Sequence, residues 1–182
     1  HTLILAPVAM AVLLSTAGWA AEQPALSDRA YRAVNKAQAL ITEKKYGEAN
    51  AKLQDALSGA GDRVYDKGVI LQTLGFVAAQ QEKYGRATKY FADAIATGGL
   101  PQPVAQQVRY NLAQLYMAEG NFKASISTMN EWFANLGKDE KPTPHAYITL
   151  ANAHVQLKQN REAIPAVDQA IKLSAGKAPE SW

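Results

Sequence analysis

Tyr46-Gly47-Glu48-Ala49, Tyr84-Gly85-Arg86-Ala87, Phe122-Lys123-Ala124-Ser125 and Asn160-Arg161-Glu162-Ala163 are one segment written four times, its copies starting at 46, 84, 122 and 160 with a period of 38. A constant period in this range marks a solenoid built from one repeated supersecondary unit. From Ser27 onward apolar residues recur at i, i+3, i+4 and i+7, Ala is abundant and β-branched runs are absent, so the unit is helical. The reading is an all-α solenoid of antiparallel helix pairs, wound into a right-handed superhelix. Such folds carry a long concave face and act far more often by binding than by catalysis.

Punctuation places the helices. Gly59, Gly61, Gly98, Gly99, Gly137 and Gly176 follow apolar helix ends, where a left-handed cap residue is wanted. Pro101, Pro103, Pro142, Pro144 and Pro179 lie near the starts of following helices, where a missing N–H does no harm. Within each pair the turn is polar, as in Glu43-Lys44-Lys45 and Gln81-Glu82-Lys83. The predicted helices are 28–43, 46–58, 62–81, 84–97, 102–118, 122–135, 144–157 and 160–173. They group into repeats over about 28–58, 62–97, 102–135 and 144–174, within one solenoid over 22–182.

The chain has 182 residues, 48% of them apolar, enough to bury a core in one elongated domain. Nineteen basic and 16 acidic residues are interspersed rather than gathered in a stripe, which argues against nucleic-acid binding. The absence of cysteine excludes disulfides, zinc–thiolate sites and thiol catalysis. Leu3 to Leu14 is an apolar run followed by Ser15-Thr16-Ala17-Gly18-Trp19-Ala20-Ala21, the pattern of a secretory signal cleaved after Ala20. The run is short for a membrane span, which needs about 20 residues. Residues 1–21 are therefore expected to be removed on export, the rival being an anchor that is kept.

The repeats resemble the tetratricopeptide repeat (TPR), whose first helix orders small and large apolar residues and whose second carries Ala…Phe…Ala. The second copy matches best, with Leu74-Gly75, Tyr84, Ala87, Phe91 and Ala94. The fourth has Tyr147, Leu150-Ala151, Ala163 and Ala170. The third departs with Ser125 where Ala is usual and Trp132 where a small residue is usual, and the first has Lys36 where Leu is expected. The usual TPR period is about 34 residues. The surplus of four falls between pairs and is expected to add a turn to the start of each first helix.

Catalytic signatures are missing from the sequence: there is no GxSxG, HExxH, phosphate loop or GxGxxG before a helix. His145 and His154 are nine residues apart, too far round a helix to share a metal. His154 stands where the repeat packs a Tyr, so it reads as structural. No enzyme, cofactor or metal is expected.

The resemblance implies that the first helix of each pair lines a peptide-binding groove. The positions carried over are Tyr31, Val34, Gln38 and Ile41; Val69, Gln72, Phe76 and Gln80; Gln107, Tyr110, Gln114 and Met117; and His145, Ile148, Asn152 and Gln156. None is Lys, Arg, Asp or Glu, so a clamp on a partner's terminal carboxylate is not expected. Amides with aromatic and aliphatic neighbours suit an extended or helical peptide. The alternative is that some of these residues pack against the stretch from Glu22 to Asp28 or against a later repeat.

Two stretches narrow the resemblance. Residues 132–153, from Trp132-Phe133-Ala134-Asn135-Leu136-Gly137 to Leu150-Ala151-Asn152-Ala153, look like the periplasmic TPR proteins encoded with TonB energy-transduction systems, as does Pro179-Glu180-Ser181-Trp182. That resemblance implies an accessory to TonB and its ExbB/ExbD motor in the uptake of iron chelates, working in the periplasm. It also implies that the end of the chain leads into a further repeat. An uncapped end would leave a surface for self-association. Two other classes stay open: an adaptor for cell-envelope assembly, and the targeting module of an enzyme whose catalytic domain lies beyond Trp182.

Overall fold

Ala37, Gly75, Ala113 and Ala151 occupy one position of the repeat in the first helices, and Ala49, Ala87, Ser125 and Ala163 do likewise in the second. These small residues are buried in every repeat. They let the two helices of a pair approach, while Leu53, Phe91 and Met129 fill the space opposite and are 2% exposed or less.

The computed structural model describes residues 24–138 and 140–174. The proposed signal over 1–21 and the Pro179–Trp182 ending lie outside the described residues. Eight helices occur among those described: α1 (Asp28–Thr42), α2 (Tyr46–Ser58), α3 (Val64–Gln80), α4 (Tyr84–Ala96), α5 (Gln102–Ala118), α6 (Phe122–Ala134), α7 (Pro144–Gln156) and α8 (Asn160–Leu173). Each packs against the next, and α1 also reaches α3. The result is the all-α helical repeat fold expected from the sequence.

Helix starts follow local chemistry. Ser27, Asn121 and Thr143 accept hydrogen bonds from the backbone N–H groups of Ala30, Ala124 and Ala146, so α1, α6 and α7 are side-chain capped. Turns inside the pairs follow a rule that side-chain identity hides. Lys44, Glu82, Gly120 and Lys158, equivalent positions of the four repeats, have φ of 58°, 57°, 74° and 60°. The residue after each donates its N–H back to Leu40, Ala78, Tyr116 and His154 respectively, closing the same left-handed helix cap four times. Polarity alone suggested a turn at these sites, but three of the four do not carry the glycine that usually announces this cap.

The four surplus residues have two fates. They extend α3 and α5 to 17 residues each, as expected. In the fourth repeat they do not: α7 begins at Pro144 and has 13 residues. Pro142 and Pro144 disfavour a helical residue ahead of each of them, so the described residues between α6 and α7 stay outside any helix. The Glu140 carboxylate accepts from the Gly137 N–H at 2.8 Å, and the Gln102 side chain donates to the Asn135 carbonyl at 2.8 Å, tying that loop to α5.

One continuous core runs from α1 into α5. Ala113, Met129 and Ala146 form a second cluster across α5, α6 and α7, and Ala151, Ala163 and Ala166 a third between α7 and α8. The break falls where Trp132 replaces the alanine found at Ala56, Ala94 and Ala170. A partner change accompanies it. The following first helix has Ala146 where the earlier ones have Ile70 and Val108, and Ala146 lies in the same cluster as Trp132. Large and small have been exchanged across this joint.

At the other end, Ser27 fixes the entry to α1. Its backbone N–H and its hydroxyl both donate to the Asp66 carboxylate of α3, at 3.0 and 2.5 Å, and Asp66 is 2% exposed. Leu26 packs against the main core. The segment just ahead of α1 is thus tied to α3 at Asp66, which is not one of the expected groove positions.

Candidate peptide-binding face

The first helices α1, α3, α5 and α7 carry twelve of the sixteen expected groove positions in register, because the period of the sequence is constant, while Ile41 and Met117 lie one place before the register of Gln80 and Gln156. One column is Gln38, Phe76, Gln114 and Asn152. The next is Val34, Gln72, Tyr110 and Ile148, and a third is Tyr31, Val69, Gln107 and His145.

Burial separates these residues. Tyr31, Gln38, Gln80, Gln107, His145, Asn152 and Gln156 are exposed, while Ile41, Gln72, Phe76, Tyr110, Gln114 and Met117 are partly exposed. Val34, Val69 and Ile148 are a correction: at 1%, 5% and 9% exposure they are core residues, not lining. For Val34 and Val69 the packing of α1 on α3 contributes, whereas α7, which carries Ile148, packs on α6 and α8. Val34 and Val69 lie in the continuous core shared by α1 and α3, which touch each other. Packing against α4 and α2 buries most of α3 and leaves Gln72, Phe76 and Gln80 open among its groove positions.

None of the expected groove positions is Asp, Glu, Lys or Arg. Among the described residues α7 carries no carboxylate, Lys or Arg and α5 carries only Arg109, whereas α1 also bears Asp28, Arg29, Arg32 and Lys36 and α3 bears Lys67. Arg109 turns toward α6: its Nη1 donates to the Gln106 side chain at 2.5 Å, and its Nε lies 3.8 Å from the Glu131 carboxylate. Gln106 in turn donates to the Trp132 carbonyl at 2.9 Å. In α3, Asp66 is consumed by Ser27.

Aromatic rings cross the third joint as a chain. Tyr110 of α5 lies 5.6 Å from Trp132 of α6 with the planes tilted by 48°. Trp132 meets Phe133 edge-on at 5.1 Å, and Phe133 stacks on Tyr147 of α7 at 4.7 Å and 28°. All four are partly exposed. Burial raises the Tyr110 phenol above the ordinary tyrosine value, against the opposing pull of the Thr149 and Gln114 side chains at its hydroxyl. The groove positions taken from the resemblance include Tyr110 but miss Trp132, because Trp132 sits on a second helix. Its signal was the column Ala56, Ala94, Trp132, Ala170.

Other chemistry is sparse. The described residues hold no cluster of three His, Asp or Glu that could bind a metal. His145 is exposed, and His154 is partly buried with its Nδ1 2.9 Å from the Gln159 amide oxygen. A depression of about 80 Å³ lies at Gly47, Asn50, Ala78, Gln81, Lys83 and Arg86. Small-molecule sites occupy roughly 300–1,000 Å³. No helix among the described residues is long and apolar enough to cross a membrane.

Comparison with known proteins agrees with the repeat reading. The tetratricopeptide-repeat profile matches residues 106–131 and 144–176. No curated protein matches the chain. Among solved structures, MamA of strain AMB-1 superposes with a TM-score of 0.65 at 19% identity, covering 84% of this chain and 76% of that one. MamA from Desulfovibrio magneticus RS-1 gives 0.66 at 18%, covering 84% and 80%. A tetratricopeptide repeat protein from Parabacteroides merdae gives 0.68 at 14%, covering 84% and 56%. At these identities the likeness is one of fold. TPR folds serve as protein–protein interaction scaffolds, and no catalytic family matches.

Proposed function

We propose that this chain is a non-enzymatic scaffold that holds an uncharged stretch of a partner protein along the open face of α1, α3, α5 and α7. The observation that carries the reading is the strip formed by Gln38, Gln72, Phe76, Tyr110, Gln114 and Asn152. It repeats in register, stands partly or fully in solvent, and holds no ionised group. Side-chain amides there bond a peptide backbone while the rings take its apolar side chains.

The finer proposal is that the partner belongs to the TonB–ExbB–ExbD system and that the protein works in the periplasm during iron-chelate uptake. Its support is the resemblance of residues 132–153 and the signal-like run Leu3–Leu14. Site-specific photo-crosslinking in living cells tests both levels. Probes replace Gln72 or Gln114, and the control replaces Lys89, which is exposed on the second helix α4. Capture of TonB or a motor subunit from the two Gln sites but not from Lys89 supports the whole proposal. Capture of an envelope-assembly protein keeps the scaffold and removes the TonB assignment. Capture from Lys89 alone overturns the groove. A deletion strain should also grow poorly on chelated iron and normally on free iron.

A further inference from the structure

We propose that the fourth pair is a switch of its own: α7 and α8 leave α5–α6 and lose their helices together while α1–α6 stay folded. The inference goes beyond the scaffold reading, because it follows from how the pair is built and attached.

The pair is built with a thinner core. Across the second, third and fourth repeats one buried position reads Ile70, Val108, Ala146 and another Val77, Leu115, Ala153. In the second helices the position of Leu53, Phe91 and Met129 becomes Val167. At each of these positions the fourth repeat has the smallest side chain. In α7 and α8 the one buried apolar residue larger than alanine is Ile148, at 9% exposure. Stabilisation by burial scales with apolar area, so this pair gains least. Pro165 weakens it further. It lies inside α8 and has no N–H to give the Arg161 carbonyl one turn back. Its side chain is exposed and returns no packing.

The pair is also attached lightly. The core that runs from α1 into α5 does not extend to α7. Side chains fasten α6 to α5: the Ser125 hydroxyl donates to the Ala113 carbonyl at 2.9 Å, and the Gln106 amide to the Trp132 carbonyl at 2.9 Å. α7 meets them through Ala146, which packs with Ala113 and Met129, and through the stack of Phe133 on Tyr147 at 4.7 Å, both rings partly exposed. Among the described residues the polar link across this joint is the Thr149 side chain at the Tyr110 hydroxyl. Ala151, Ala163 and Ala166 bind α7 to α8 in a cluster of their own, so the two helices come away as one. Such cooperative units, opening below the global unfolding energy, are the elements that switches draw on. Asn152 sits on α7, so the strip is four helices long with the pair in place and three without it.

Amide exchange of the purified chain under native conditions, resolved by helix, tests this. Amides of α7 and α8 should exchange in concert, about tenfold or more faster than those of α3 and α4. Pro165→Ala should slow exchange in both α7 and α8 by about tenfold and leave α1–α5 unchanged. Gly75→Ala, at the α3–α4 contact, should leave exchange in α7 and α8 as it was. Trp132 gives a second readout once Trp19 and Trp182 are changed to Phe. Its emission should shift to the red at a urea concentration below that of the main loss of helical circular dichroism. Uniform exchange across the eight helices overturns the proposal. So does fast exchange in α8 with α7 as protected as α5, which is fraying of one helix, or a Pro165→Ala effect confined to α8. Coincident Trp132 and circular dichroism transitions overturn it as well.

Discussion

Adding one methyl group at Gly75 should weaken the fold, although the same change strengthens an ordinary helix. A Cβ at Gly75 would overlap Phe91 Cδ1 and stand 2.5 Å from Cε1 and 3.1 Å from Cγ of the same ring. Carbon atoms pack at about 3.5–4.0 Å, so ring and helix must part by roughly 1 Å. Phe91 is 2% exposed and has no space to retreat into. Overpacking of this kind costs about 1–3 kcal/mol or more. Better helix propensity returns about 1 kcal/mol. We expect Gly75→Ala to lose about 1–2 kcal/mol net, read as a lower urea midpoint at unchanged slope by far-UV circular dichroism. At this chain length that is a fall of roughly 2–8 °C in Tm. The control is Gly47→Ala in α2, where a Cβ meets nothing within 4 Å. It should be neutral or stabilising by up to ~1 kcal/mol. In a Phe91→Leu background the penalty at Gly75 should shrink by about 1 kcal/mol, because the two sites share one volume. If Gly75→Ala stabilises as Gly47→Ala does, or adds independently to Phe91→Leu, the account of α3–α4 packing is wrong.

Three further outcomes are expected. Lys44→Gly, Glu82→Gly and Lys158→Gly relieve left-handed backbone at each turn and should each add up to ~1 kcal/mol, checked by urea unfolding. Asp66→Ala strips Ser27 of both hydrogen bonds and should cost about 2–4 kcal/mol, with faster amide exchange in the first turn of α1; unchanged exchange there would refute the clasp. Burial raises the Tyr110 and Tyr116 phenols above 10.0, so the folded state holds their protons more tightly than the unfolded state does. Stability should therefore be level with respect to these groups below pH 10 and fall as pH rises through their folded pKa values; Tyr110→Phe should flatten part of that fall in melts from pH 8 to 11.5.

Helix existence and order were legible because the period repeats every contrast of small and large residues four times. Boundaries came within about two residues of prediction, since Gly, Pro and polar turns mark them. What escaped was set by backbone torsion and by three-dimensional neighbours. Lys44, Glu82 and Lys158 give no composition signal of left-handed geometry; only alignment with Gly120 reveals it. The predicted start at 144 is observed, but the extra turn that the period alone suggests is absent from the fourth repeat, because its two prolines act against it. Groove positions proved less secure than helices. Val34, Val69 and Ile148 share a spacing with exposed amides, and only contact between neighbouring helices sends them inward.

The exchange of bulk between Trp132 and Ala146 bears on how such a chain can be copied and recombined. The joints at Ala56 with Ile70 and at Ala94 with Val108 follow one pattern, so the second unit can be repeated; the first cannot replace it, because it carries Arg32 at the Ile70 position. The third cannot be repeated either. Placed before a unit carrying Ile or Val at the Ala146 position, Trp132 would overfill the joint; an alanine-bearing unit placed before Ala146 would leave a void. Both errors cost on the order of 1–5 kcal/mol. Duplication or loss of the second unit is therefore tolerated, and a change behind the third pair is penalised. The third and fourth pairs can be inherited only together, like a lock kept with its key.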